Sequence, residues 1–487
     1  MISNKTFALI GTVALTAALA TVLRTTPPVA RAEEPKADKS VTYTKDVAPI
    51  LYSQCSSCHR PGEVAPFALL SYDDAKKRAA QIAAVTQSKY MPPWKAASHG
   101  EFHDERRLTD AQIATLKQWV DAGAPEGDPA DLPPAPKFTV GWRLGAPDAV
   151  FQSPVYTVPA EGADIYQCFV IPTDYKEDRY VSAIEVRPGQ RAVVHHVIAY
   201  LDTTGGARKL DAADPAPGYT SYGGIGVTPS GGLGGWAPGN DPRRLDNGVG
   251  VLLPKGADIV LQVHYHPTGK VEKDSTKLGV YFANGPVDKR VRIQAIIAPA
   301  LRVPPGDAHY ETGGSQAVPA NVTVLGVMPH MHLLGHDMTV AATLPDGTQQ
   351  PLVSVPDWDF NWQSTYMYQK PLELPQGSRI HLTAHYDNST NNPRNPSDPP
   401  KLVTWGEKTT DEMCIAFVFY TVDSEHLTKG IAATDVPDLG IGGGKGSRME
   451  KMMMLFDKNG DGKLDDSERA AMMQFLQDMM AKKAGKE

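Results

Sequence analysis

Cysteine is scarce, with 4 among 487 residues. So few cannot supply the disulfide framework that holds many small exported domains, so cohesion must come from hydrophobic cores. An excess of one charge is also lacking: 48 basic and 55 acidic side chains leave a net charge of -7. That mild acidity gives no electrostatic reason to expect nucleic acid or an anionic membrane as partner. Beyond the N-terminal segment, no apolar run approaches the length of a membrane-spanning helix. Glycine and proline, by contrast, are plentiful at 43 and 41 residues, and they fall mostly after residue 130. Many turns and few long helices there predict β-architecture. The length exceeds what one core serves and predicts several domains.

Residues 1–32 read as a signal peptide: Lys5, an uncharged apolar run from Phe7 to Leu23, then the small-residue site Ala30-Arg31-Ala32. The expected location is the periplasm or the cell exterior. No stable membrane insertion is expected after cleavage, and an uncleaved anchor is the alternative.

Cys55-Ser56-Ser57-Cys58-His59 is a C-x-x-C-H motif. Two thiols at this spacing reach the two vinyl groups of a haem, and the adjacent histidine lies under the iron, so the motif predicts one covalent haem c. Tyr43 to Leu51, Ala75 to Ala84 and Asp110 to Ala122 carry helical periodicity around it. Between the latter two lies Met91-Pro92-Pro93-Trp94, which makes Met91 the expected distal ligand, with His99 or His103 as alternatives. Residues 33–128 thus resemble a small all-α class I cytochrome c, a carrier of single electrons. A proline-rich linker, Asp128 to Lys137, follows.

From residue 138 onward, short apolar stretches alternate with turn clusters, which predicts two all-β sandwich domains, 138–290 and 291–430. Most of the 14 histidines gather here: His195-His196, His264-x-His266, His330-x-His332 with His336, and His381 with His385. Repeated imidazoles at short spacing suit copper, zinc or iron. On a strand, positions i and i+2 share a face, so His330 with His332, or His264 with His266, could share a metal. His195 and His196 point to opposite faces of a regular strand, and sharing a metal would need a bulge or a strand end. Spacing alone does not choose among these pairings.

Val194-His195-His196-Val197, Gln262-Val263-His264-Tyr265, His330-Met331-His332 and Asp411-Glu412-Met413-Cys414 stand in the order found in copper type II ascorbate-dependent monooxygenases. That family includes the peptidylglycine α-hydroxylating and dopamine β-monooxygenases, which residues 140 to 425 resemble. The resemblance implies two jelly-roll-like domains with two copper ions. His195, His196 and His264 would hold the electron-transfer copper, and His330, His332 and Met413 the catalytic one. A thioether beside two imidazoles favours Cu(I), the state that meets dioxygen. The implied reaction hydroxylates a C–H bond of a small-molecule substrate with O2. Two external electrons are needed per turnover, hence an upstream electron donor, with the haem domain as the built-in link. Where peptide-hydroxylating members carry an arginine and an asparagine for a peptide carboxylate, this chain has Met328 and Ile415, which makes peptidylglycine an unexpected substrate. The family's dense disulfide set is absent, and Cys168 and Cys414 are expected as free thiols. A non-enzymatic haem and copper electron carrier on the same scaffold is the alternative, and a zinc hydrolase is a second.

After a glycine-rich hinge, residues 447–487 contain Asp457-x-Asn459-x-Asp461-Gly462-Lys463-x-Asp465-x-x-Glu468, which matches a calcium-binding EF-hand loop at each ligand position. The complete expectation is multidomain: an all-α cytochrome c domain, two all-β jelly-roll-like sandwiches and a helical EF-hand tail.

Overall fold

The computed structural model describes residues 41–433, 456 and 464–484, apart from residues 64, 140, 223, 299 and 407. The expected signal peptide lies outside the described residues, as do Asp457, Asn459, Asp461 and Lys463 of the expected calcium loop.

The N-terminal helices form around one aromatic core. Tyr43–Val47 is a single π-type turn that runs into the helix Ala48–Gln54, whose proline stands in the first turn, where no N–H is needed. The segment expected as one helix at Ala75 to Ala84 is two, Tyr72–Lys77 and Ala79–Gln87, because the backbone at Arg78 leaves helical geometry. Ser71 caps the first of these by accepting the Asp74 N–H. Asp110–Asp121 starts with a capping box between Thr109 and Gln112. Tyr43, Leu51, Leu116 and Trp119 are fully buried together, which closes the helices on one another.

Two sheet pairs follow. In the first, Ala149–Gln152, Lys277–Phe282, Arg179–Arg187, Val249–Leu253 and Lys289–Arg290 form one five-stranded sheet in that order. Tyr219–Thr220, Ile165–Pro172, Asp258–Tyr265, Val194–Asp202 and Gly231–Trp236 form the other. Strand alternation sorts their side chains. Phe169, Val197, Leu201, Leu261 and Val263 join residues of the facing sheet in one core, whereas Cys168, Tyr200 and Val260 face away under the helix Gly206–Ala213. In the second pair, Arg292–Ile297, Ile415–Val422, Val322–His330 and Tyr366–Leu374 form one sheet, and Tyr310–Ala317, Arg379–Tyr386, Gly335–Thr343 and Gln349–Val355 the other. Their inner faces share a second core that includes Val324, Val418, Val340 and Leu382. Cys168 and Cys414 are buried free thiols, one in each sheet pair.

The loop after Met91 leaves the helical unit and enters the second sheet pair. The Ala97 N–H donates to the Ser354 carbonyl (2.8 Å), the Gln369 N–H to Glu101 (2.8 Å) and the His103 N–H to Met367 (2.8 Å). Phe102, 3% exposed, stacks on Tyr368 with ring centroids 5.1 Å apart and packs in the core of that pair. A boundary at residue 128 therefore describes the sequence but not the packing. Replacing Phe102 with alanine should cost about 3–5 kcal/mol, as expected for an aromatic removed from a well-packed core. Denaturant unfolding of the full chain would measure this, and a cost near zero would mean the strap is not part of that core.

Candidate copper centres and haem-attachment site

The first histidine cluster depends on strand register. His196 is the Cα partner of His264 across the antiparallel ladder between Val194–Asp202 and Asp258–Tyr265. The register shifts between Val194 and His196, and this irregularity brings the neighbouring His195 ring to the same side. His196 Nδ1 lies 3.3 Å from His195 Nδ1 and 3.4 Å from His264 Nδ1. The ligand atoms of all three fall within 4.8 Å of one another, a spacing that one metal ion spans. His266 turns outward instead and sets Nδ1 2.7 Å from Asp164 Oδ1.

Asp164 organises this cluster. His264 Nε2 lies 3.0 Å from its Oδ2, which leaves Nδ1 of His264 to face the other two rings. Burial by itself would raise the Asp164 carboxyl, but hydrogen bonds from His264, His266 and Thr409 hold it well below the usual range. Tyr166 stacks on His264 with centroids 4.2 Å apart. Burial, reinforced by His264, pushes His195 down to about 4 and His196 well below 6.5. His195 and His196 are therefore neutral at pH 7, as metal ligation requires.

The second cluster stands where the strand Val322–His330 ends. His330 Nδ1 is 2.7 Å from Gln363 Oε1, and His332 Nδ1 is 3.0 Å from the Asp411 carbonyl, so each ring keeps Nε2 for another partner. Their centroids are 5.2 Å apart. Burial and the neighbouring His330 push His332 down to about 3. Glu412, fully buried, accepts the N–H groups of His332 (2.8 Å) and Leu334 (2.6 Å), which ties the His-x-His turn to the segment that carries Met413. Burial pushes the Glu412 carboxyl up to about 8 against those hydrogen bonds. The Tyr386 hydroxyl donates to the Met413 carbonyl at 2.7 Å.

Both clusters face one cleft of about 880 Å³ between the sheet pairs, and Met413 lines it with His195, His196, His330 and His332. Met328 and Ile415 are in the same wall, which is largely apolar where they stand. Phe360 lies between the clusters, stacked on His195 (5.2 Å, 15°) and edge-on to His332 (5.8 Å, 84°). Gln262 ties down its own neighbourhood by donating to the Ser221 and Gly224 carbonyls. His336 and His385 stand apart from the cleft lining and share Asp337.

At the C-x-x-C-H motif, His59 Nδ1 is 3.1 Å from the Phe67 carbonyl, which fixes the tautomer that leaves Nε2 for iron. Cys55 and Cys58 are free thiols, and burial pushes Cys55 up to about 12. This donor set fits a covalent haem. Met91 opens the strap, its N–H donating to Val85 at 3.0 Å. His103 belongs to the cleft side, where its Nδ1 is 2.8 Å from an Arg243 amine, and His99 is exposed. In the tail, the two described ligand positions of the expected calcium loop bond each other reciprocally. Glu468 N–H donates to Asp465 Oδ1 (2.8 Å), and Asp465 N–H to Glu468 Oε2 (2.9 Å). Phe456 packs on Phe475 across that loop, 5.6 Å between centroids.

Residues 293–434 match the family described as "Copper type II ascorbate-dependent monooxygenase, C-terminal domain". The second cluster lies inside that span. Human "Putative DBH-like monooxygenase protein 2" is 26% identical over 252 residues, 47% of this chain and 46% of that protein. The chain therefore matches about half the length of this curated relative. Solved structures found similar are the infectious bursal disease virus VP2 subviral particle and the Gx strain of that virus. The first is 10% identical, covering 56% of this chain and 72% of that one, with a TM-score of 0.18. The second is 9% identical, covering 60% and 74%, with a TM-score of 0.17. Scores this low carry no argument.

The depressed histidines set a pH dependence. Unfolded, His195 takes up a proton near the ordinary 6.5, whereas the folded chain holds it neutral down to about 4. The unfolded state then binds more protons within that window, so metal-free stability falls as pH drops from 6.5 towards 4. Melting temperatures of the metal-free chain should show this slope, and His195→Asn should lessen it by one histidine's share; an unchanged slope would contradict the burial argument.

Proposed function

We propose that this protein is a copper monooxygenase that hydroxylates a C–H bond of a small organic substrate with O2, taking its electrons through a fused haem c domain. The observation that carries the reading is that two histidine clusters, through His195 and His196 in one and His330 and His332 in the other, line one largely apolar cleft together with Met413. The second lies within the span that resembles a copper-monooxygenase domain.

Copper held by these donors would supply the activation of dioxygen and the redox steps that imidazole and thioether ligands support. The protein's residues do the rest. Asp164 and the Phe67 carbonyl orient His264 and His59 through their second ring nitrogens. Glu412 ties the backbone of His332 to the segment that carries Met413. Met328, Ile415, Phe417 and Phe419 give the substrate an apolar wall and limit water near the reacting bond. That wall offers no cation for a carboxylate at positions 328 and 415, in keeping with a substrate other than a peptide C-terminus.

The chain is read as exported to the periplasm or the exterior, with jelly-roll-like sandwiches, a cytochrome c-like N-terminal domain and a calcium-stabilised EF-hand at residues 457 to 468. Export provides the setting in which c-type haem and extracellular calcium are met.

Metal and haem analysis of the purified chain tests the proposal. About two coppers and one haem are expected per chain, with His330→Ala and Met413→Ala each lowering copper towards about one. Haem bound alongside zinc, or no copper uptake after reconstitution, would leave an electron carrier on a β-scaffold and remove the enzyme.

A further inference from the structure

The space beside the haem-attachment motif and the cleft that the first histidine cluster lines have several lining residues in common, one of them aromatic. A small cavity on the motif side is lined by Cys58, Glu63, Arg143, Arg191 and Trp236. Trp236 also borders the large cleft, together with His195 and His196. Among the described residues it is the only aromatic that borders both spaces. The backbone continues the connection: Trp236 is the Cα partner of Val197 in the antiparallel ladder, and Val197 directly follows His196.

Charge holds the motif against this lining. Glu63, four residues past His59, accepts hydrogen bonds or ion pairs from Arg143 at 2.9 Å and Arg191 at 3.1 Å, both from the first sheet-pair segment. The Arg191 guanidinium lies 5.9 Å over the Trp236 ring. These pairs are partly buried, so salt screens them less than it would a surface pair. The docking is therefore part of the fold and not a chance collision of two tethered units.

A haem joined to Cys58 would be tethered at a residue that lines the same small cavity as Trp236. Electron transfer slows steeply across empty space and less steeply through packed and bonded atoms. Trp236 is the aromatic ring common to the two spaces, and the strand ladder behind it leads through Val197 to His196. We propose that Trp236 is the relay through which an electron passes from haem on Cys55 and Cys58 to copper at His195, His196 and His264. This rests on the haem and copper assignment above and adds the route. In the step one electron leaves ferrous haem, which becomes ferric, and one cupric ion becomes cuprous. No bond forms or breaks, no proton moves, and the indole is the medium throughout.

The test is anaerobic stopped-flow oxidation of the reduced haem, followed by its absorbance, in the copper-loaded full chain with Trp236→Leu and Trp236→Phe alongside. Haem content, copper content and haem potential are measured for each. The expected result is intact loading and potential in both variants, transfer slowed about tenfold or more in Trp236→Leu, and a smaller loss in Trp236→Phe, as π-contact would dictate. Transfer at the wild-type rate in a fully loaded Trp236→Leu would overturn the relay and leave the haem and copper assignment standing. A wild-type chain that binds no haem or no copper would instead overturn that assignment, and the relay with it, whereas one that carries both but transfers no electron would overturn the relay alone. Should Trp236→Leu lose either group, Trp236→Phe against Trp236→Met decides in its place: equal rates overturn the relay, and a faster aromatic variant supports it.

Discussion

Register between two strands is the constraint on which the site depends. His196 meets His264 because Val197 pairs with Val263 and Leu201 with Ile259 down the same ladder. Those apolar partners are buried against the facing sheet, so a slip of one residue would turn the whole apolar set outward. The hydrophobic core thus specifies the position of polar groups it never touches. The imidazoles project from the opposite side of the same strands, and their place in the cleft is as fixed as the core itself. Only His195 escapes strict alternation, through one local irregularity.

The two clusters are organised by the same physical device on different elements. A carboxylate or carbonyl engages one ring nitrogen and leaves the other for a further partner: Asp164 for His264, Asp411 for His332, Gln363 for His330. Asp164 also accepts the Thr409 hydroxyl at 3.0 Å, which joins the first sheet pair to the loop that leads to Met413. Phe360 completes the connection by touching one histidine of each cluster. The relative placement of the two donor sets is therefore held by polar and aromatic contacts across the cleft as well as by the chain between them.

Much of this was legible in the sequence, for identifiable reasons. Strand alternation exposed the segments around His196, His264 and His330, since period-two burial leaves a direct trace in residue type. That His195 and His196 could share a metal only at a bulge or a strand end followed from the same periodicity, and the register shift between Val194 and His196 is the irregularity found. Asp164, Phe360, Gln363 and Glu412 left no such trace, because each acts on residues distant in the chain and none belongs to a spaced pair. Glu412 sat inside the Asp-Glu-Met-Cys segment that signalled Met413, yet only packing shows that it grips the His332 turn. The strap at Ala96 and Phe102 was unreadable for a related reason. Its apolar residues look like part of a helical domain until their partners, Tyr366 and Tyr368, are known.

That strap bears on how the molecule is made. Lys95 pairs with Asp357 and Phe102 bonds Gln369, contacts 262 and 267 residues apart in the chain. During synthesis the strap leaves the ribosome long before its partners exist, so the aromatic Phe102 must wait, solvent-exposed, until the second sheet pair is translated. The helical unit and the last β-domain are thus one folding problem. Neither can be cut out at a sequence boundary without leaving a hole in one piece and an unsatisfied apolar loop on the other.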